Sequence, residues 1–213
     1  MNKIKNIIFD FGGVILNIDF NKTIDAFVNL GIDRFSESFT GFSQSQVFND
    51  LETGKSSPAE FYEGLRTELG VMLSNEQIAK AWNALLLDLP PHRVDILKSL
   101  KSNYRLFLLS NTNQIHFESY NSRFKQDYGH DFSDLFEHAY WSFNVKKRKP
   151  DTEIFEHVLT TSGLNQRQTL FIDDSYQHIE GARKVGLKTL HLSGIELKDL
   201  FENGHLKSDA PIL

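Results

Sequence analysis
The chain has 213 residues, 40% hydrophobic and 24% charged, with a formal net charge of −5 and no cysteine. Such a composition belongs to a globular protein with enough chain for one large domain or two small ones. It excludes disulfide and thiol chemistry, argues against nucleic acid as a partner, and suits a reducing cytosol.

No apolar run approaches the roughly 18 residues of a membrane helix. Asp10 interrupts the first apolar run too early for a signal-peptide core. A soluble cytoplasmic protein is therefore expected, with no membrane partner. Because no apolar surface stripe stands out, it is expected to be a monomer.

In chain order, the first element is Ile4 to Phe9, a β-branched run too short for a helix and read as a strand. It stops at Asp10, and Gly12-Gly13 follow. A carboxylate at the C-terminal end of a strand, ahead of a tight turn, stands where open α/β sheets bind ligands.

The next strand-like run, Tyr104 to Leu109, is too distant for a simple crossover, and the chain between reads as helices. Phe20, Ile24, Phe27 and Val28 share a helical face. Ser57-Pro58-Ala59-Glu60 is a capping box with proline at the first helical position, followed by Phe61, Leu65 and Leu69. A second capping box, Ser74 to Gln77, opens a stripe of Ile78, Ala81, Trp82, Leu85, Leu86 and Leu89 that Pro90-Pro91 closes. A further helix through Val94, Leu97 and Leu100 leads into the second strand.

So long a connection needs structure of its own. The expected division is a catalytic core of residues 1–17 and 91–213 with a helical cap, 18–90, inserted over the strand ends.

Three more strands are expected: His138 to Ser142, Thr169 to Ile172 and Leu187 to Leu192. Helical stripes separate the later ones, through Ile154, Phe155, Val158 and Leu159, then through Ile179, Ala182 and Val185. Alternating strands and helices predict an α/β fold, a Rossmann-like parallel sheet built from right-handed crossovers. Its strand ends would bring Asp10, Ser110, Asn111, Asp173 and Asp174 to one edge.

Converging carboxylates repel one another and call for a cation or a proton. Oxygen donors of this kind suit Mg²⁺. The basic run Lys146 to Lys149 lies on the same edge, and Lys149 is singled out because Pro150 restrains the backbone just before a helix. A cation, a lysine, a hydroxyl, an amide and glycine-flanked N–H groups together suit a phosphoryl group.

The motifs FDFGGV, LLSN, KP and FIDDS, in that order at strand ends, resemble the haloacid dehalogenase (HAD) superfamily of aspartyl-nucleophile phosphatases with a helical cap of the first type. The resemblance covers nearly the whole chain. Two details, DFGGV and Ser110-Asn111-Thr112-Asn113, are similar to the subgroup of bacterial α-D-glucose-1-phosphate phosphatases.

The resemblance implies that Asp10 is the catalytic nucleophile. It implies that Mg²⁺ is held by Asp10, the Gly12 carbonyl and Asp174, with Asp173 a ligand or one shell out. Ser110, Asn111, Lys149 and the Gly13 N–H would hold phosphate oxygens of a small phosphorylated substrate.

Two departures stand out. Most phosphatases of the superfamily carry a second aspartate where Gly12 stands, and losing a general acid costs about 10²–10⁴-fold in rate. An anomeric sugar oxygen leaves more readily than an ordinary alkoxide, so sugar 1-phosphates such as a hexose 1-phosphate are favoured. A side chain from the cap or a metal-bound water is another source of the proton. His178 stands where the family usually has Asp or Asn; a neutral imidazole there can take over the hydrogen bonding.

His116 is expected to pack rather than react. The aromatic residues Phe27, Phe35, Phe39, Phe42, Phe48 and Phe61 read as the insert's own core, and Asp19, Asn21 and Glu52 are candidates for specificity. The alternatives are a metal-independent 2-haloacid dehalogenase, against which Asp173-Asp174 argue, and a phosphate-ligand binding protein that has lost turnover.

Overall fold
A computed structural model describes residues 3–33, 35 and 45–213. The strands are β1 (Asn6–Phe9), β2 (Arg105–Ser110), β3 (His138–Trp141), β4 (Thr169–Asp173) and β5 (Lys188–His191). They form one five-stranded sheet in the order β3-β2-β1-β4-β5, with every pairing parallel.

Each expected strand is present. The apolar runs are buried on both faces of the sheet, as a parallel sheet covered by helices requires. Ile7, Phe9, Leu106, Leu108, Leu170 and Ile172 face one hydrophobic cluster. Ile8, Phe107, Leu109 and Phe171 alternate to the other face, against Ile154, Phe155, Val158 and Ile179.

The chain builds outward from β1 through β2 to β3, then returns to lay β4 on the other side of β1. The crevice of such a sheet lies beyond the strand ends at that reversal. The register pairs Phe9 with Ile172, so one residue further Asp10 and Asp173 stand side by side.

The helices are α1 (Phe20–Val28), α2 (Gln46–Glu52), α3 (Pro58–Leu69), α4 (Asn75–Trp82), α5 (Pro91–Leu100), α6 (Gln114–Tyr128), α7 (Ser142–Val145), α8 (Thr152–Thr161), α9 (Tyr176–Lys184) and α10 (Leu197–Leu200). Both expected capping boxes are formed, Ser57 with Glu60 and Ser74 with Gln77. α1 to α4 bury a third cluster around Phe27, Phe35, Phe48, Phe61, Leu65, Ile78 and Trp82, joined by Ile115 of α6. Phe39 and Phe42 lie outside the described residues.

The stripe that begins at Ile78 does not run on as one helix to Leu89. α4 ends at Trp82, and a 3₁₀ turn follows over Asn83–Leu85. The buried Thr23 hydroxyl causes the break: it donates to the Trp82 carbonyl (3.0 Å) and accepts from the Leu85 N–H (3.2 Å). Leu86 then pairs antiparallel with Ile18. Bonds from Asp19 N to the Leu85 carbonyl, Leu87 N to the Asn17 carbonyl and Asn17 N to the Asp88 carbonyl extend that pairing. The chain thus enters and leaves the helical insert through two paired segments, and Leu86 and Leu89 pack on the sheet cluster instead.

Beyond the sequence-based expectations lie the short helices α2, α7 and α10, the long helix α6, whose buried face of Ile115, His116, Tyr120 and Phe124 is half polar by residue type, and a short antiparallel pair, β6 (Phe201–Glu202) with β7 (His205–Leu206). No helix among the described residues is long and apolar enough to cross a membrane.

Candidate active site
At the strand ends the charged groups meet in a dry cluster. Lys149 is 0% exposed, Asp173 0% and Asp10 7%. The Lys149 ammonium donates to Asp10 Oδ1 and to Asp173 Oδ2, each at 2.7 Å. A buried ammonium is tolerable only with such partners. Burial works against its charge, but the two carboxylates prevail and hold its pKa above the ordinary lysine value.

Burial raises the pKa of Asp10, Lys149 opposes that rise, and the charge of Asp173 adds to it; the net direction is up. Asp173 moves the other way. Burial would raise it, but Lys149 and His178 outweigh burial and keep it ionised. Asp173 is fully engaged, since Oδ1 also accepts the Ser175 N–H (2.8 Å) and His178 Nδ1 lies 3.0 Å from both its oxygens.

Asp174 is the contrasting neighbour. It reaches solvent and makes no ion pair among the described residues. Its pKa is pushed up to about 7, first by desolvation and then by the charges of Asp10 and Asp173. Its carboxylate lies against Gly13, where a Cβ would come within 2.0 Å of Oδ2, and Gly13 has φ +78°. Only glycine satisfies both the turn and that close approach.

A family model described as haloacid dehalogenase-like hydrolase matches residues 7–192. The chain belongs to that family. It is 33% identical over 186 residues to a D-ribitol-5-phosphate phosphatase of Bacteroides thetaiotaomicron, covering 87% of this chain and 90% of that one. A crystal structure of a wild-type HAD family enzyme from the same organism, in complex with magnesium and inorganic phosphate, is 36% identical with TM-score 0.86, covering 93% of this chain and all of the other (100%). A HAD-like hydrolase from Porphyromonas gingivalis is 32% identical with TM-score 0.82, covering 89% and 91%.

Within this HAD-like hydrolase the expected residues do converge, but several have other contacts than expected. Ser110 is buried at the end of β2, and its only hydroxyl contact among the described residues is a long one, 3.5 Å to the Asn111 carbonyl. Asn111 was expected to offer its amide to phosphate. Instead both ends of that amide grip the main chain of Lys149: Nδ2 donates to the carbonyl and Oδ1 accepts the N–H, each at 2.9 Å. Asn111 therefore sets the position of the loop that carries Lys149.

The Gly13 N–H, expected on phosphate, donates to the Leu16 carbonyl at 2.9 Å, because the turn folds back on itself there. The N–H groups of Phe11 and Gly12 have no such partner among the described residues, and neither does the Gly12 carbonyl. Asp173 was expected as a metal ligand or one shell out. With Lys149, His178 and Ser175 on its oxygens, it holds Lys149 and leaves open oxygen donors to Asp10, Gly12 and Asp174. Asp10, Asp173 and His178 do offer ligand atoms within 4.8 Å of one another; in this state Lys149 takes up the space between the two carboxylates.

His116 packs, as expected. It is buried, stacked on Trp82 at 4.8 Å, and bonded through Nδ1 to Asn83 Oδ1 at 2.8 Å. Sequence reasoning missed Ser142, Arg148 and the closeness of Glu52 to this edge. The signal for Arg148 was its place in the basic run beside Lys149; buried Ser142 gave none.

Proposed function
We propose that this chain is a Mg²⁺-dependent phosphomonoesterase of small sugar or polyol phosphates, acting as a cytoplasmic monomer, in which Asp10 becomes an aspartyl phosphate. The observation that carries the reading is the buried Lys149 ammonium bridging Asp10 and Asp173, beside a Gly12 carbonyl that has no partner among the described residues. A carboxylate held by lysine at a strand end suits nucleophilic attack on phosphorus.

The donor set fits Mg²⁺: one or two carboxylates and a carbonyl, with room for waters. The crowding that lifts Asp174 to about 7 is the electrostatic demand such an ion meets. Bound there, Mg²⁺ would neutralise charge on the phosphoryl oxygens.

The chain's own groups do the rest. Asp10 attacks. Lys149, the Ser110 hydroxyl and the Phe11 and Gly12 N–H groups bind the phosphoryl oxygens where charge develops. Asn111 and Asp173 hold Lys149 in register, and the helical insert keeps bulk water away.

Two considerations pull the substrate assignment apart. Gly12 supplies no acid, which favours anomeric phosphates such as a hexose 1-phosphate. Similarity to a D-ribitol-5-phosphate phosphatase favours a primary alkyl phosphate, whose alkoxide needs a proton.

The test is phosphate release from hexose 1-phosphates, hexose 6-phosphates and ribitol 5-phosphate, with Mg²⁺ or with chelator, beside Asp10→Asn. Release should require Mg²⁺ and fall on the order of 10⁴-fold or more in the variant, with circular dichroism unchanged. Normal turnover by Asp10→Asn refutes the nucleophile. Metal-independent release of chloride from 2-chloropropionate would put the dehalogenase reading in its place.

A further inference from the structure
We propose that Glu52, delivered by the helical insert, is the proton donor and acceptor that Gly12 cannot be. This inference rests on the aspartyl-phosphatase reading above.

Glu52 is the last residue of α2, and α2 is fastened to the sheet edge at that point. The Ser142 hydroxyl lies 2.7 Å from the Glu52 carbonyl and accepts the Thr112 N–H at 2.9 Å. Two residues on, Gly54 (φ +62°) sits so close that a Cβ would meet the Phe143 carbonyl oxygen at 2.0 Å. Thr112 follows Ser110-Asn111, and Phe143 follows β3, so the end of α2 is held against the ends of two strands of the site.

The Glu52 side chain is 14% exposed, with Oε2 3.0 Å from Arg148 Nη2. Arg148 also donates to Asn49 Oδ1, one turn earlier on α2. It is the neighbour of Lys149, so the carboxyl lies beside the loop that carries the phosphate-binding lysine. Oε2 has no well-directed hydrogen bond among the described residues.

The charged and titratable groups facing Glu52 are Arg148, His178 and Lys149. Burial raises its pKa, these groups offset that only in part, and the net direction is up. A carboxyl in that state holds a proton more readily than an exposed one. Asp173 is committed to Lys149, His178 and Ser175, and His178 Nδ1 to Asp173.

The proton inventory closes over one turnover. An Asp10 oxygen bonds to phosphorus as the bond from phosphorus to the leaving oxygen breaks. That oxygen takes the Glu52 proton and departs as an alcohol. A water oxygen then bonds to phosphorus, the bond to Asp10 breaks with its electron pair returning to the carboxylate, and the water proton passes to Glu52. Between the two halves, Arg148 stabilises the ionised Glu52.

The experiment measures single-turnover release of the leaving group from 4-nitrophenyl phosphate, phenyl phosphate and ribitol 5-phosphate, in wild type, Glu52→Gln and Glu52→Asp. Wild type should depend weakly on leaving-group basicity. In Glu52→Gln the ratio of alkyl to nitrophenyl rate should fall about 10²–10⁴-fold, with Glu52→Asp between the two. A ratio taken within one preparation is independent of its folded fraction, so a partly misfolded variant still answers. Equal losses on all three substrates, or a wild type already steep in leaving-group basicity, would overturn the role of Glu52. Asp10→Asn run alongside tests the underlying reading separately, since retained activity there sinks that reading whatever the slope.

Discussion
The sheet edge and the helical insert solve burial in opposite ways. At the edge, Lys149, Asp10 and Asp173 are taken out of water together, and the Lys149 ammonium holds each carboxylate at 2.7 Å. In the insert, aromatic rings pack on one another among aliphatic side chains: Phe27 stacks on Phe35 at 3.9 Å, and Phe48 and Phe61 lie against Trp82 at 5.0 and 5.6 Å. Aromatic packing tolerates change in proportion to lost area and volume. A buried ion cluster does not, because removing one member strands the rest. The site's rigidity comes from the dependence of two buried carboxylates on one lysine, and the insert's stability comes from bulk.

Lys149→Met should be the most damaging single change. It leaves two buried carboxylates side by side, so a loss of about 3–5 kcal/mol in urea unfolding is expected along with turnover. A loss under 1 kcal/mol would mean that Lys149 is not the keystone of the cluster.

Phe61→Ala should cost a similar 3–5 kcal/mol from the cavity it opens, but the damage should stay local. Amides of α3 and α4 should lose hydrogen-exchange protection while those of β1 and β4 keep theirs. Equal loss across both regions would show that insert and sheet unfold as one unit.

His116, at the seam between the two regions, makes stability depend on pH. Burial pushes its imidazole from the ordinary 6.5 down to about 3. The native state therefore binds fewer protons than the unfolded chain between those values. The stability this gives is complete above pH 6.5 and is lost as pH falls toward 3. At pH 5 the loss should be about 2 kcal/mol, and His116→Gln should show a shallower slope of urea midpoint against pH.

The smallest effect belongs to a helix end within the insert. Ser57→Ala removes one half of a capping box and should cost about 1 kcal/mol without touching turnover on any substrate.

Much of the fold was legible in the sequence because a parallel sheet writes itself as short apolar runs that stop at polar residues. Ile7 to Phe9 before Asp10, Leu106 to Leu109 before Ser110, and Leu170 to Ile172 before Asp173 all did so. The capping boxes at Ser57 and Ser74 were legible because their chemistry is local. α6 was not, because its buried face mixes His116 and Tyr120 with apolar residues, and only their partners Trp82 and Phe11 make them core. The end of α4 was not, because Thr23, far away in sequence, ends it.

In the site, Asp10, Lys149 and the Asp173-Asp174 pair could be named from residue type and position alone. How each polar group is used could not be. Asn111 looked like a ligand for phosphate until both ends of its amide were found on Lys149, and the Gly13 N–H looked free until Leu16 was found on it.

The class of fold, the order of the motifs and the family resemblance that the comparison then established were all readable along the chain. Those rest on periodicity and on residue types that recur at set places along the chain. The donors and acceptors that remain open, the way burial and neighbouring charge shift each carboxylate, and the placing of Glu52 beside Arg148 by α2 emerge only from the folded chain. These are properties of distance and dielectric between segments far apart in the chain, and they have no local signature.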